Sequence, residues 1–371
     1  MILINKQRIM APTKRIGYID ALRGLTMILV VFSHIYLPNT TPLNQFLINF
    51  RMPLFFFISG FISFRMEQSW SGKETVSRLG SKVRTMIIPA LVIGLIYTIM
   101  NGTVEISYFF THDRKMGYWF TFALFNMLII YYVARWIHSR RGKTSLKVFV
   151  RRLYILGLIF FVALSDMSIL GNVGNIFTLG LSFKYFHFFA FGALCSCNRE
   201  WFESIFENGV KMGAIVVTLF LLSWAAIVSK SNPEYVIAYI GEQPYFIIRG
   251  IVVAIIGYCG ILTVYGFFRR FGEFFSESKV GKSLQFVGRN TLDVYLLHYF
   301  VLLGMPTMLR PYIVDTTNLL MPLVVGMGVA ATIVAVSLLI SRILRLSDHV
   351  AYYLLGARDV KLGADKNVSK Q

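Results

Sequence analysis

The chain has 371 residues, enough for two or three soluble domains, but 56% of them are hydrophobic, only 15% are charged, and the mean hydropathy is +0.62. Apolar runs of about 20 residues recur along its whole length, and each is long enough to cross a ~30 Å hydrocarbon core. The composition therefore excludes a soluble enzyme and predicts an all-α polytopic membrane protein. The net charge of +19 could suit nucleic acid, but the basic residues lie between the apolar runs, as in the cytoplasmic loops of membrane proteins, so no nucleic-acid partner is expected.

In chain order, Met1 to Arg15 is a basic segment carrying Lys6, Arg8, Lys14 and Arg15. Ten spans are expected after it, at 17–37, 47–65, 85–104, 117–136, 151–166, 180–197, 211–229, 245–268, 290–309 and 318–341. Lys and Arg sort onto one side of them; the other side holds only Arg114, Lys115, Lys184, Lys230 and Arg310, so both termini are expected in the cytoplasm. The first apolar run ends in Tyr36-Leu37-Pro38-Asn39 without a small-x-small cleavage site, so it reads as a retained span and not a signal peptide. Cys195, Cys197 and Cys259 form no metal-ligand spacing and are expected to be free buried thiols. No metal site is expected.

The first span, Tyr18 to Pro38, is unusual in holding Asp20, Arg23 and His34. Arg23 and His34 are eleven residues apart, so they share one helix face about 16 Å apart along the axis. Charges inside an apolar span are costly and point to a protein-lined cavity. His34 can trade a proton near neutrality and is a candidate general base. A packing histidine bonded to a neighbouring helix is the alternative. Arg23 stays charged and needs an anionic or carbonyl partner. Asp20 supplies one at helical spacing, and a phosphate or thioester carbonyl arriving from the cytoplasm could supply another.

The second span opens Asn49-Phe50-Arg51-Met52-Pro53, with proline expected at its first turn. Ser59 and Gly60 allow close approach of a neighbouring helix. Arg51, at the outer mouth, either holds an acceptor or anchors the span at the interface. The loop Lys73 to Pro89 carries Arg78, Lys82 and Arg84, which could dock a cytosolic polyanion or simply fix topology. Gly117-Tyr118-Trp119-Phe120 opens the fourth span, and Trp119 is either part of an interfacial aromatic belt or a stacking surface for a sugar. His187 stands among aromatic residues and reads as structural. The ninth span begins Gly288-Arg289-Asn290-Thr291-Leu292-Asp293-Val294-Tyr295-Leu296-Leu297-His298. Arg289 and Asp293 are spaced to pair. Tyr295 and His298 share a face, with His298 a second candidate site residue. The tail Asp359 to Gln371 is polar and expected to be disordered. No phosphate-binding loop, metalloprotease helix, nucleophile elbow or dinucleotide fingerprint is present.

Asp20-Ala21-Leu22-Arg23-Gly24 with His34, Met52 to Phe61, and Tyr295-Leu296-Leu297-His298 together resemble the acyltransferase-3 family of integral membrane O-acyltransferases. The likeness covers residues 16–342, leaving 1–15 as a basic cytoplasmic N-terminus and 343–371 as a cytoplasmic tail. The family often has two arginines three apart before the proline of its third span; here the earlier position is Ser81, with Arg84 kept before Pro89.

The resemblance implies an O-acetyltransferase of the bacterial inner membrane. It would move an acyl group from cytosolic acetyl-CoA, a co-substrate and not a bound cofactor, to a hydroxyl of a cell-envelope glycan or lipid-linked sugar. On that reading His34 and Arg23 are catalytic, and Arg78, Lys82 and Arg84 bind the donor. Asp20, Arg51, Ser59, Trp119, Tyr295 and His298 line the site. A glycolipid transporter or flippase that uses buried Arg and His as a proton relay is the rival class.

Overall fold

The computed structural model describes residues 16–35, 42–64, 70–102, 105–142, 144–164, 171–231, 237, 241–303 and 320–357. The expectations for Met1 to Arg15, for Pro38 to Thr41, for Arg310 and for the tail after Asp359 lie outside them. Among the described residues the fold is helical throughout, without strands. The helices are α1 (Gly17–Ile35), α2 (Pro42–Ser63), α3 (Gly72–Lys82), α4 (Ile88–Asn101), α5 (Ile106–Thr111), α6 (Trp119–Arg141), α7 (Leu146–Leu164), α8 (Gly171–Phe177) and α9 (Leu179–Cys197). They are followed by α10 (Arg199–Ser204), α11 (Gly209–Ser231), α12 (Glu242–Arg270), α13 (Gly272–Glu277), α14 (Lys279–Arg289), α15 (Thr291–Leu303), α16 (Leu320–Leu344) and α17 (Asp348–Leu355). Among the described residues, six stretches are long and apolar enough to cross a membrane: Gly17–Ile35, Gly72–Asn101, Trp119–Arg141, Gly209–Ala226, Ile247–Arg270 and Leu323–Leu344. The described part of each of the ten expected spans overlaps a helix, the other four on α2, α7, α9 and α15.

Two proline positions behave differently from expectation. Pro53 lies inside α2, which begins a full three turns earlier at Pro42. A proline there removes one helix hydrogen bond, a loss that packed transmembrane helices absorb through their neighbours; α12 presses on it, and a Cβ at Gly257 would lie 3.3 Å from the Pro53 Cγ. The stretch Lys73 to Pro89, expected as a loop, is helical. Ser71 and Glu74 start it with a reciprocal capping box. The chain then widens into a π-turn at Val83–Ile87, where the Ile88 N–H reaches back to the Val83 carbonyl. Pro89 has no N–H to donate, and the wide turn takes up that mismatch before α4 continues. The same turn aims Thr85 and Met86 inward.

Glycines set the tightest crossings. α1 lies against α14 through Gly24 and Gly288, where a Cβ would fall 2.0 Å from the Leu284 carbonyl oxygen and 1.8 Å from that of Asp20. α2 lies against α9 in the same way, Gly60 on Phe189 and Gly192 on Phe57. The start of α1 is tied down by Glu203, which accepts from Arg199 (2.7 Å), Arg269 (3.0 Å) and the Tyr18 hydroxyl (3.3 Å). Burial pushes the Glu203 carboxyl up, but Arg199 and Arg269 outweigh it and hold it below the usual carboxylate range. The three cysteines are free and buried.

The chain after residue 342 does not leave the body at once. α16 runs on to Leu344, and α17 folds back onto α4, where Arg84 donates to the Ala357 carbonyl (3.0 Å) and stacks over Tyr352.

Candidate functional site

A cavity of about 410 Å³ enters the bundle at the end that carries Lys82, Arg289 and Arg345. Its walls follow α1 from Arg23 to Val30, α2 from Ser63 up to Met52, and α6 from Leu128 to Phe120. The floor is apolar, made by Met27, Val30, Met52 and Phe55. Ser59, Thr85, Thr121, Thr291 and Tyr295 supply polar groups along the way, and Leu355 and Gly356 close one side of the mouth. A mostly apolar slot with a few placed polar groups is the usual form of a small-molecule site.

The mouth is cationic, and its cations are paired. Arg23 donates to the Thr291 hydroxyl (3.1 Å) and sits 3.9 Å from Asp20. Asp20, buried, also accepts from Arg289 (3.3 Å). Arg345 grips both oxygens of Asp293 (3.0 and 2.8 Å), and Asp293 also accepts from Ser341 (2.6 Å). The expected Arg289–Asp293 pair is therefore replaced by two long-range pairs. The reason is local: α14 ends at Arg289 and α15 starts afresh at Thr291, so the four-residue spacing no longer lies on one helix.

Of the three expected donor-binding cations, Lys82 lines the cavity. Arg78 instead lies over the Trp70 ring, 4.4 Å from its centroid, and Arg84 is engaged by α17; neither is part of the wall. Arg289 and Arg345 take their place at the mouth. Arg289 was visible as a basic residue opening a span. Arg345 was not, because it follows the last apolar run and reaches the site only through the path of α16.

Beyond the floor lies a second cluster. His34 is four residues past Val30 on α1, one helical turn. Its Nε2 is 3.2 Å from the Tyr299 hydroxyl, and its ring is 5.4 Å from that of His298. His298 is fully buried. Its Nδ1 lies 2.8 Å from the Tyr295 carbonyl and 3.0 Å from that of Val294. These carbonyls can only accept, so Nδ1 carries the proton and Nε2 is left with a lone pair. That Nε2 has no partner among the described residues.

Tyr295 ties α15 to the start of α6, donating to the Gly117 carbonyl (2.8 Å) and accepting from the Phe120 N–H (3.1 Å). Gly117 has φ +102°, and a Cβ on it would strike the Tyr299 hydroxyl, so this turn can close only over glycine. Trp119 is half-buried. It stacks on Tyr185 at 5.7 Å, and Tyr185 stacks in turn on Phe56 at 5.3 Å. Arg51 is immediately beyond Met52 of the floor and in electrostatic reach of His34, His298, Tyr299 and Tyr185. Ser59 lines the cavity while its hydroxyl bonds back to the Phe55 carbonyl (2.8 Å). His187, expected as structural, contacts the Tyr258 hydroxyl between Phe161 and Phe188.

On three helices the cavity thus stops just short of one cluster: Val30 before His34, Tyr295 before His298 and Tyr299, Met52 beside Arg51. The arrangement suits a reagent that enters from the basic end, lays a slender arm along the apolar slot and presents its tip to an imidazole.

No curated protein and no solved structure matches the chain. A family model described as an acyltransferase domain, Acyl_transf_3, matches residues 16–342. The match takes in α1 through nearly all of α16, hence every helix that builds the cavity except α17, and the chain belongs to this family of membrane acyltransferases.

Proposed function

We propose that the protein is an O-acetyltransferase with ten crossings and both termini in the cytoplasm of the bacterial inner membrane. It takes an acetyl group from cytosolic acetyl-CoA and passes it to a hydroxyl of a cell-envelope glycan or lipid-linked sugar. The observation that supports this best is the cavity itself, which runs from a cationic mouth to within one turn of His34.

In this reading the phosphates of the donor rest at the mouth on Arg23, Lys82, Arg289 and Arg345, where arginine forks suit them. The pantetheine arm lies between Met27, Val30, Met52 and Phe55. Arg23 orients the donor there; at ~16 Å from His34 it is too far to touch the reacting carbonyl as well. His34 removes the proton of the acceptor hydroxyl as its oxygen attacks the thioester carbonyl. The C–S bond breaks, and the CoA thiolate takes the proton back from the imidazolium. Tyr299 orients the His34 ring, and the backbone carbonyls of Val294 and Tyr295 hold His298 in one tautomer beside it.

Purified protein, labelled acetyl-CoA and isolated envelope glycan test this directly. His34→Ala should lower transfer by roughly 100-fold or more, the usual contribution of a positioned general base. Transfer at the wild-type rate in that variant would overturn the mechanism. Mass spectrometry of envelope glycans from a deletion strain, searched for loss of one acetyl group, identifies the acceptor.

A further inference from the structure

Among the described residues, no counter-charge is at hand for Arg51. Arg23 and Arg289 share Asp20, and Arg345 has Asp293. The Nε and Nη1 of Arg51 are sealed from solvent, and neither has a hydrogen-bond partner among the described residues. The titratable groups that face it are His34 and His298 from α1 and α15, and the phenols of Tyr299 and Tyr185 from α15 and α9. None is a carboxylate. A guanidinium does not shed its proton to escape such a place, and two sealed N–H groups without acceptors carry a desolvation cost that nothing offsets.

The surroundings indicate where the missing charge comes from. His34, Arg51, Trp119 and Tyr185 each keep part of their surface exposed, while Phe56, Tyr118, His298 and Tyr299 behind them are buried. Trp119 stacks on Tyr185 and keeps part of its indole exposed, an aromatic surface against which a pyranose can lie. Arg51 is in electrostatic reach of both Tyr185 and His34.

The geometry points to a binding site for an anionic sugar: Arg51 holds a carboxylate or phosphate of the acceptor while its ring rests against Trp119 and its hydroxyl meets His34. The inference rests on the acyl-transfer reading for the role of His34 and goes beyond it in naming the charge of the acceptor. The carboxylate would belong to the sugar itself, and the phosphate to its linkage to a lipid carrier. Both bring oxygen acceptors for the two unbonded guanidinium nitrogens.

The test uses full-length protein in phosphatidylcholine nanodiscs, with tryptophan fluorescence titrated against glucuronate, glucose 1-phosphate and glucose. Wild-type protein is expected to bind one of the anionic sugars roughly 10- to 100-fold more tightly than glucose, the worth of one charged hydrogen-bonded contact. Arg51→Gln should erase that preference, and Arg51→Lys should keep part of it. Preference for glucuronate assigns the charge to the sugar, and preference for glucose 1-phosphate assigns it to the linkage; either supports the site. Equal binding of all three sugars, or an anion preference unchanged in Arg51→Gln, overturns it. An Arg51→Gln variant that keeps the preference but loses hydrolysis of acetyl-CoA also overturns it, because Arg51 would then serve the oxyanion of the thioester. Displacement of the sugars by phosphatidylglycerol, lost in Arg51→Gln, reassigns Arg51 to a lipid headgroup and overturns it as well. A protein that prefers the anionic sugar yet never consumes acetyl-CoA leaves this site standing and refutes the transferase reading instead.

Discussion

Lys115 illustrates how much a single side chain in this protein depends on its enclosure. It lies in the turn between α5 and α6, 2% exposed, with its ammonium donating to the carbonyls of Phe109 and Asn175 (3.3 Å each). Burial pulls its pKa from an ordinary 10.5 down to about 8, against a smaller opposing pull from Asp113. The folded protein therefore holds this proton less tightly than the unfolded chain, so the cost is complete below pH 8 and fades as pH rises toward 10.5. Thermal unfolding in detergent should show stability gained over that window, and Lys115→Met should flatten the gain. The residue was legible in the sequence only as a cation on the sparsely charged side. Nothing local marks it as buried, because its partners lie on α5 and α8.

At the scale of elements, the α1–α14 crossing carries the site. It sets Asp20 against Arg289 and runs α1 along the cavity, with Arg23 in the wall and His34 one turn beyond it. Contact this close requires Gly24 and Gly288, since a methyl group on either would collide with a backbone carbonyl that cannot move aside. Gly288→Ala should cost about 1–3 kcal/mol, the range for overpacking a dense interface, and lower the midpoint of thermal unfolding. Acetyl-CoA affinity should fall with it, because Arg289 and Thr291 shift together. An unchanged midpoint would mean that the helices separate without loss. The spacing of Arg23 and His34 on α1 was readable from periodicity alone. The break between α14 and α15 was not, and it is this break that re-pairs Arg289 and Asp293.

On the scale of the whole molecule, the cavity is assembled from helices far apart in sequence and finished by the segment beyond residue 342. α17 contributes Leu355, is followed by Gly356, and engages Arg84, so that a residue expected at the donor is held on the back of the wall. A chain ending at Leu346 should keep the bundle, since the buried residues of α17 are only Ala351 and Leu355. Its KM for acetyl-CoA should rise roughly tenfold with little change in kcat, the pattern for lost binding without lost chemistry. A KM equal to that of the full chain would remove α17 from the donor site.

Local physics was enough for the class of fold, the positions of the apolar helices, and the pairing of a fixed cation with a proton-trading imidazole on one face of α1. Each of these follows from hydrophobic run length and a period of 3.6 residues, which neighbours in sequence decide among themselves. What required tertiary structure was the choice among cations. Arg78 and Arg84 were drawn off by Trp70 and α17, Arg289 and Arg345 were brought in, and Arg51, open in the sequence between acceptor ligand and interfacial anchor, was set in electrostatic reach of His34. Long flexible side chains near helix ends can reach several partners, and only the packing of helices distant in sequence selects one.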